Sequence, residues 1–245
     1  MARIGLGTNR LRNTPENRAF IADAVAAGVG MIDTARLYTG GDSEATIGAA
    51  LERVGNGCVV ATKGGYGGAG RGRPEVLRAE IEQSLRALRA DAIEVYYLHQ
   101  VDPETPIEES LGTIAEYRDA GKIRHIGVSN VSVEEIERAR AVVPIAAVQN
   151  HYSVTKRDSD DVVDYCADQQ LVFVPYFPLR GVDSAALSEI AERRGATAAQ
   201  IALAWLLRRS PTTLPIPGTL SIEHLRENLA ALEIELSDEE YEALA

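Results

Sequence analysis

The stretch Met31-Ile-Asp-Thr-Ala-Arg-Leu-Tyr-Thr-Gly-Gly-Asp-Ser-Glu44 is a short apolar run that stops at a carboxylate, Asp33, and carries a phenol, Tyr38, five residues later. A strand that delivers an acid at its tip and a phenol in the loop beyond makes sense where both face a cavity and meet groups from other strands. Outward from it, short apolar runs alternate with segments of helical period, the pattern of βα units around a parallel sheet. The runs are Ile4 to Gly7, Met31 to Asp33, Cys58 to Thr62, Ile93 to Leu98, His125 to Ser129, Ala146 to Gln149, Leu171 to Tyr176 and Leu214 to Ile216. All are short, as barrel strands are. The fold class expected is α/β, a compact (β/α)8 TIM barrel, and 245 residues match the roughly 250 typical of that fold.

Helix punctuation agrees. Pro15 follows Thr14, Pro74 opens a segment to Leu88, and Pro106 opens another that ends at Gly121. Further helices are expected to start near Ser132, near Asp160 and at Ser221, and two to lie between Ser184 and Arg209, separated at Gly195. Trp205, at helical spacing from Ile201 and Ala202, reads as helix-to-barrel packing. The segment Glu233 to Ala245, with acidic residues after Ser237, reads as a capped terminal helix. No repeat, low-complexity tract or linker divides the sequence, so residues 1–245 are expected to form a single domain.

With 45% hydrophobic and 25% charged residues the chain can bury a substantial core. A net charge of −11 argues against nucleic acid or anionic membranes as partners, because non-specific phosphate affinity needs clustered basic charge. Cys58 and Cys166 have no metal or redox spacing and read as two buried thiols in a reducing compartment; no metal site is expected. No signal-like apolar core and no apolar run of about 18 residues is present, so a cytoplasmic protein, acting as a monomer, is expected.

In a β/α barrel the loops at the carboxyl ends of the strands form the active site. Asp33 ends the second run, Lys63 follows the third, His99 follows the fourth, and Tyr38 lies in the second loop, whereas His125 begins its run. Singly, each has an ordinary structural explanation. Together, a cation, an imidazole and a carboxylate around a phenol can shift its pKa from about 10 towards neutrality, since a nearby ammonium favours phenolate. A tyrosine so tuned can give or take a proton.

Asp33-Thr-Ala-Arg-Leu-Tyr38, Ala61-Thr-Lys63, Tyr97-Leu-His99, Gly121-Lys-Ile-Arg-His-Ile-Gly-Val-Ser-Asn130, Val148-Gln-Asn150 and Ile216-Pro-Gly-Thr219 resemble, in order and over nearly the whole chain, successive motifs of the aldo-keto reductase superfamily. The resemblance implies a barrel that reduces carbonyl groups with NADP(H) or NAD(H). It implies that Tyr38 is the general acid, Lys63 and Asp33 its polarising pair, and His99 the group that orients the carbonyl. It places the nicotinamide carboxamide on Ser129, Asn130 and Gln149, the nicotinamide ring on Tyr176, and the pyrophosphate along the backbone around Phe177, Leu179 and Gly181. Where the family often has a lysine, a small hydroxyl residue and an arginine for the 2′-phosphate, this chain has Gly218, Thr219 and His224. Thr219 and the free amides opening the helix at Ser221 remain for phosphate, with Arg226 and Asn228 nearby, and NADP(H) is favoured over NAD(H).

Gly65-Tyr-Gly-Gly-Ala-Gly70 spells a dinucleotide fingerprint after a strand, with Asp91 about twenty residues on. Its context is wrong: the next helix opens at Pro74, and Asp91 precedes its strand. The segment reads instead as a mobile loop beside Lys63 with Tyr66 near the pocket. The N-terminal β-hairpin of many family members is expected to be missing, and the substrate loops at Val101 to Pro106 and Arg180 to Asp183 are short. Arg36, Tyr66, Tyr152 and Phe177 are the expected rim of an open pocket for small aldehydes or ketones, α-dicarbonyls and aromatic aldehydes among them. Two other readings share these residues: a Schiff-base aldolase using Lys63, and a cofactor-binding sensor or interaction subunit without turnover.

Overall fold

Seven strands, β1 (Leu6–Gly7), β2 (Met31–Asp33), β3 (Val59–Gly64), β4 (Ile93–Leu98), β5 (Ile123–Ser129), β6 (Ile145–Gln149) and β7 (Val172–Phe173), lie parallel and in chain order in one sheet. The computed structural model describes residues 2–55 and 57–244. The eighth run closes the barrel without a regular ladder. Leu214 and Ile216 donate their N–H groups to the carbonyls of Phe173 and Pro175, and the carbonyls of Pro215 and Pro217 accept from Gly5 and Gly7. Pro215 and Pro217 have no N–H to return towards β1, which is why this staff of the barrel does not register as a strand.

Helices fill the connections: α1 (Pro15–Ala26), α2 (Asp42–Val54), α3 (Pro74–Leu88), α4 (Ile107–Asp119), α5 (Val133–Val142), α6 (Asp160–Asp168), α7 (Ala185–Arg194), α8 (Ala198–Arg209), α9 (Ile222–Ala230) and α10 (Asp238–Ala243). Their ends follow the sequence signals. The Thr14 hydroxyl accepts from the Asn17 amide at the head of α1, Ser132 and Ser237 form capping boxes with Glu135 and Glu240, and Gly195 ends α7 at φ +61°. Trp205, on α8, is buried between the rings of Tyr152 and Tyr241, the packing role its spacing implies.

Several boundaries differ from the sequence reading; β1 is regular only from Leu6, and β6 starts at Ile145. β3 extends to Gly64, so Lys63 lies within the strand and not after it. β5 starts at Ile123, so His125 lies inside its strand. The expected seventh strand is regular only at Val172–Phe173, although Val174 and Tyr176 still donate to Val148 and Asn150; Pro175, between them, has no donor.

Side chains on a strand alternate between faces, and that period decides what reaches the barrel axis. Met31, Ala61, Val95, Tyr97, Ala147, Val174, Leu214 and Ile216 pack together in the interior. A larger layer including Leu6, Ile32, Tyr96, Leu98 and Val148 packs outward against the helices. Gly127 on β5 lies opposite Tyr97 on β4, and a Cβ there would overlap the Tyr97 ring, so the phenol fills volume that β5 leaves free.

Behind β3 the helix layer holds a fully buried carboxyl, Glu44 of α2. The Thr62 hydroxyl donates to its Oε1 at 2.6 Å, while its Oε2 has no partner among the described residues. Burial raises the Glu44 pKa, against the lowering effect of the hydrogen bond from Thr62. A carboxyl raised in the folded state contributes full stability below its unfolded value of 4.5 and loses it as pH rises through the folded value. Glu44→Gln, which keeps the shape and removes the ionisation, should therefore gain on the natural chain as pH rises from 5 to 8 when melting temperatures are compared; a difference that stays constant, or that moves in favour of the natural chain, would contradict this.

Candidate active site

The inward alternation that places Met31, Ala61, Val95, Tyr97 and Ala147 in the barrel brings Asp33, Lys63, His99, Ser129 and Gln149 to its carboxyl end. They meet at a cavity of about 390 Å³, whose lining includes Asp33, Tyr38, His99, Ser129, Asn130 and Gln149. Lys63 is opposite Tyr97 in register, and Asp33 opposite Ala61, so the long lysine reaches back across one strand. Its Nζ donates to Asp33 Oδ2 at 2.6 Å, to the Thr34 carbonyl at 2.7 Å and to the Tyr38 hydroxyl at 3.4 Å. An ammonium has three N–H donors, and all three are used.

Tyr38 is placed by a tight turn. Its N–H donates to the Ala35 carbonyl, and the chain then takes positive φ at Thr39, Gly40 and Gly41, the last at +100°. The Thr39 hydroxyl ties the turn to the Leu11 carbonyl at 2.6 Å. A bond network joining Thr8, Ser43 and Thr34 locks the loops after β1 and β2 together beneath it.

The electrostatics differ from the expectation in one respect. Burial pushes the Tyr38 phenol above its usual pKa, and the Lys63 charge, second in size, does not overcome it. The lysine is tightly paired with Asp33, so little of its field is left for a hydroxyl 3.4 Å away. Tyr38 is thus held as a phenol. Although burial disfavours its charge, Lys63 is held as an ammonium by Asp33 and by Tyr38. His99 is pushed down to about 3, first by burial and then by Lys63, and is a neutral imidazole. Its Nδ1 is buried without a partner among the described residues, and its ring meets Tyr38 edge-on at 6.2 Å.

The residues expected to hold the carboxamide are bonded to one another and to the catalytic set. Gln149 Nε2 donates to Asp33 Oδ1 at 2.8 Å, leaving its own carbonyl oxygen. The Ser129 hydroxyl donates to the Gln149 backbone carbonyl. Asn130, at φ +59°, donates to the His99 carbonyl and to Ser129 Oγ, and its Oδ1 accepts from the Tyr176 hydroxyl at 2.7 Å. The Tyr176 ring is stacked on His151, 5.2 Å between centroids and 14° between planes, and presents its other side to the cavity.

A second cavity, about 320 Å³, shares Asn9, Phe177 and Gly218 with the first and is lined further by Arg10, Pro178, Leu179, Arg180 and Pro217. Two adjoining cavities bridged by Gly218, with two arginines in the outer one, could hold a dinucleotide. Neither arginine stands out in the sequence, although Arg10 follows the first strand closely enough for the barrel-end rule to flag it.

Six expected site residues lie elsewhere. Tyr152 is 1% exposed, packed between Phe173 and Trp205 with its hydroxyl bonded to Asp160, so it belongs to the core and not to the rim. Arg36 turns away, donating from Nε to Gln83 in a groove between the loop after β2 and α3. Gly181, at φ +77°, leaves no room for a Cβ against Thr155, which explains the glycine by packing. Asn228 is buried in α9. Thr219, whose hydroxyl accepts from the Ser221 amide, and the exposed His224 line neither cavity. Tyr66 and Phe177 do line the first cavity, joined by Leu37 and Gln100, which the sequence reading did not single out.

The loop after β3 is not free. Gly70 and Gly72 donate to the Asp102 carboxylate, and Gly65 donates to Glu80, which also pairs with Arg71. Its positive-φ glycines make the turns, and the anchors tie the segment at both ends.

A closed parallel barrel with its cavity at the carboxyl ends of the strands defines a β/α-barrel enzyme. The aldo/keto reductase family pattern matches residues 3–182 and 183–245, and the chain belongs to that family. It is 38% identical over 237 residues to pyridoxine 4-dehydrogenase of Escherichia coli, spanning 89% of this chain and 82% of that protein. A thermostable aldo-keto reductase crystallised with the inhibitor epalrestat superposes with a TM-score of 0.91 at 35% identity, covering 100% of this chain and 94% of the other. An aldo/keto reductase from Klebsiella pneumoniae in complex with NADP and acetate superposes with a TM-score of 0.88 at 30% identity, covering 99% and 89%. The protein is an oxidoreductase of the aldo/keto reductase family.

Proposed function

We propose that the chain, as one barrel domain over its full length, reduces small aldehydes and ketones to alcohols with NADPH in preference to NADH. The observation that carries this reading is the buried Lys63 ammonium, bonded at once to Asp33, Thr34 and Tyr38 behind a cavity that Asp33, Tyr38 and His99 line. The bound cofactor supplies the hydride. The negative charge that builds on the carbonyl oxygen is met by Tyr38, a phenol whose proton burial retains until that charge appears. Neutral His99, with no acceptor near Nδ1, carries its proton on Nε2 and donates a second hydrogen bond to the same oxygen. Asp33, itself held by Gln149, keeps Lys63 charged and in place.

The same pair argues against the aldolase reading: a Schiff-base lysine must reach a neutral amine, and Lys63 is fully buried with all three N–H groups bonded. Arg10 and Arg180 supply the phosphate counter-charge, and the NADP complex of the Klebsiella relative supports the phosphorylated cofactor. The free thiols Cys58 and Cys166, pushed up by burial to about 11 and about 12, are unreactive and fit a cytoplasmic setting.

Titrating NADPH and NADH by fluorescence quenching, then screening aldehydes and ketones, pyridoxal included, with the tighter cofactor, tests the proposal. NADPH should bind about ten-fold or more tightly, through the extra charged contacts of its 2′-phosphate, and aldehydes should turn over. Stoichiometric binding with no turnover would select the sensor reading instead.

A further inference from the structure

The short connection after β4 carries two groups that face different neighbours: His99, in the cavity, and Asp102, three residues on, which is 5% exposed. Both Asp102 oxygens are saturated. Oδ1 accepts from the amides of Gly70 and Glu104 at 3.0 and 2.9 Å, and Oδ2 from the Gly72 amide and the Thr105 hydroxyl at 2.7 and 2.9 Å. Two of those donors belong to the neighbouring connection, after β3. There is no space between them to spare, since a Cβ on Gly72 would collide with Asp102 and Ser110. At its other end that connection is tied through Glu80 to Gly65 and Arg71, and the Arg71 Nε donates to the Tyr66 carbonyl at 3.1 Å. Between the ties the loop presents Tyr66, half exposed, against the His99 ring at 4.7 Å and 44°.

We propose that Asp102 is a positioning residue: by clamping the loop after β3 to the one that carries His99, it sets the Tyr66 ring as a wall of the pocket and makes the site favour flat, uncharged carbonyl compounds. The inference rests on the reductase reading above. The exposed large side chains of that wall are Leu37, Tyr66 and Phe177, which present mainly apolar faces. The Asp33 and Lys63 charges neutralise each other, Arg36 is turned to Gln83, and among the described residues no Lys or Arg lines the first cavity, so an anionic substrate meets no free cation on that wall. A planar substrate bound beside His99 gains a face against Tyr66 that a short aliphatic aldehyde does not reach.

The test is a double-mutant cycle with Asp102→Ala and Tyr66→Ala, read with benzaldehyde and propanal. Asp102→Ala should raise KM for benzaldehyde about 5- to 10-fold, the worth of one aromatic contact, with kcat little changed and KM for propanal altered less than about two-fold. In the Tyr66→Ala background the same substitution should add nothing. If Asp102→Ala does not fold, Asp102→Asn, which keeps one acceptor oxygen, carries the same comparison. Equal losses with both aldehydes, or additive effects of the two substitutions, would overturn the role of Asp102 while leaving the reductase reading intact. A natural chain that binds cofactor and reduces neither aldehyde would overturn that reading, and the inference with it.

Discussion

Tyr38→Phe is expected to cut carbonyl reduction about 10²- to 10⁴-fold, the range of a positioned general acid, while cofactor affinity stays within about two-fold of the natural chain. The substitution removes one hydroxyl. That hydroxyl accepts only the longest of the three Lys63 bonds, at 3.4 Å, and the bonds to Asp33 and Thr34 remain, so stability should fall by less than about 1 kcal/mol. The pH dependence carries a sign. Because burial raises the Tyr38 pKa from 10 and lowers that of His99 to about 3, neither group changes charge between pH 5 and about 9. Single-turnover reduction should be flat across that range. In the oxidation direction, where the phenolate is the base, the rate should climb with pH up to and beyond pH 9. A falling limb for reduction centred near neutrality would show that the bound state lowers the phenol instead, and near-normal activity of Tyr38→Phe would end the mechanism.

The second large effect concerns the buried ion pair. Lys63→Met leaves the Asp33 carboxylate in the barrel with only Gln149 as a partner, and breaking such a pair costs about 3–5 kcal/mol. Removing both charges, in Lys63→Met with Asp33→Asn, takes away the stranded carboxylate. Denaturant unfolding should therefore place the double variant closer to the natural chain than the single one. Activity should not recover with stability, since the double variant still lacks the ammonium that holds Tyr38 in place. A single variant within about 1 kcal/mol of the natural chain would mean that Asp33 is protonated or solvated once Lys63 is gone, and that the pair is less isolated than its burial implies.

Much of this was legible from residue types and periods. Alternating apolar runs and helical segments specify βα units wherever each strand is long enough to show its period, as β4 and β6 are. Helix ends were readable because Thr14, Ser132, Ser237 and Gly195 act within one turn of chain. The four groups of the site were legible too, because the barrel converts a position at the end of a strand into a position at one cavity. The glycine fingerprint at residues 65–70 could be set aside on local context alone.

What remained hidden depends on contacts between segments far apart in the chain. The closing run at 214–216 pairs through alternate residues only, a consequence of Pro215 and Pro217 that appears once its neighbours are in place. Tyr152 and Arg36 have the chemistry of rim residues, but the side on which each emerges follows from helix packing. Arg10 and Arg180, from the first and seventh connections, share a cavity because β1 and β7 flank the closing segment. The sequence by itself determined the barrel and the gathering of Asp33, Tyr38, Lys63 and His99 at one end of it, because both follow from strand period and from residue position at strand ends. Only the tertiary structure decided the ionisation of Tyr38 and the clamp at Asp102. Desolvation and a saturated carboxylate are properties of surroundings, which chain order does not contain.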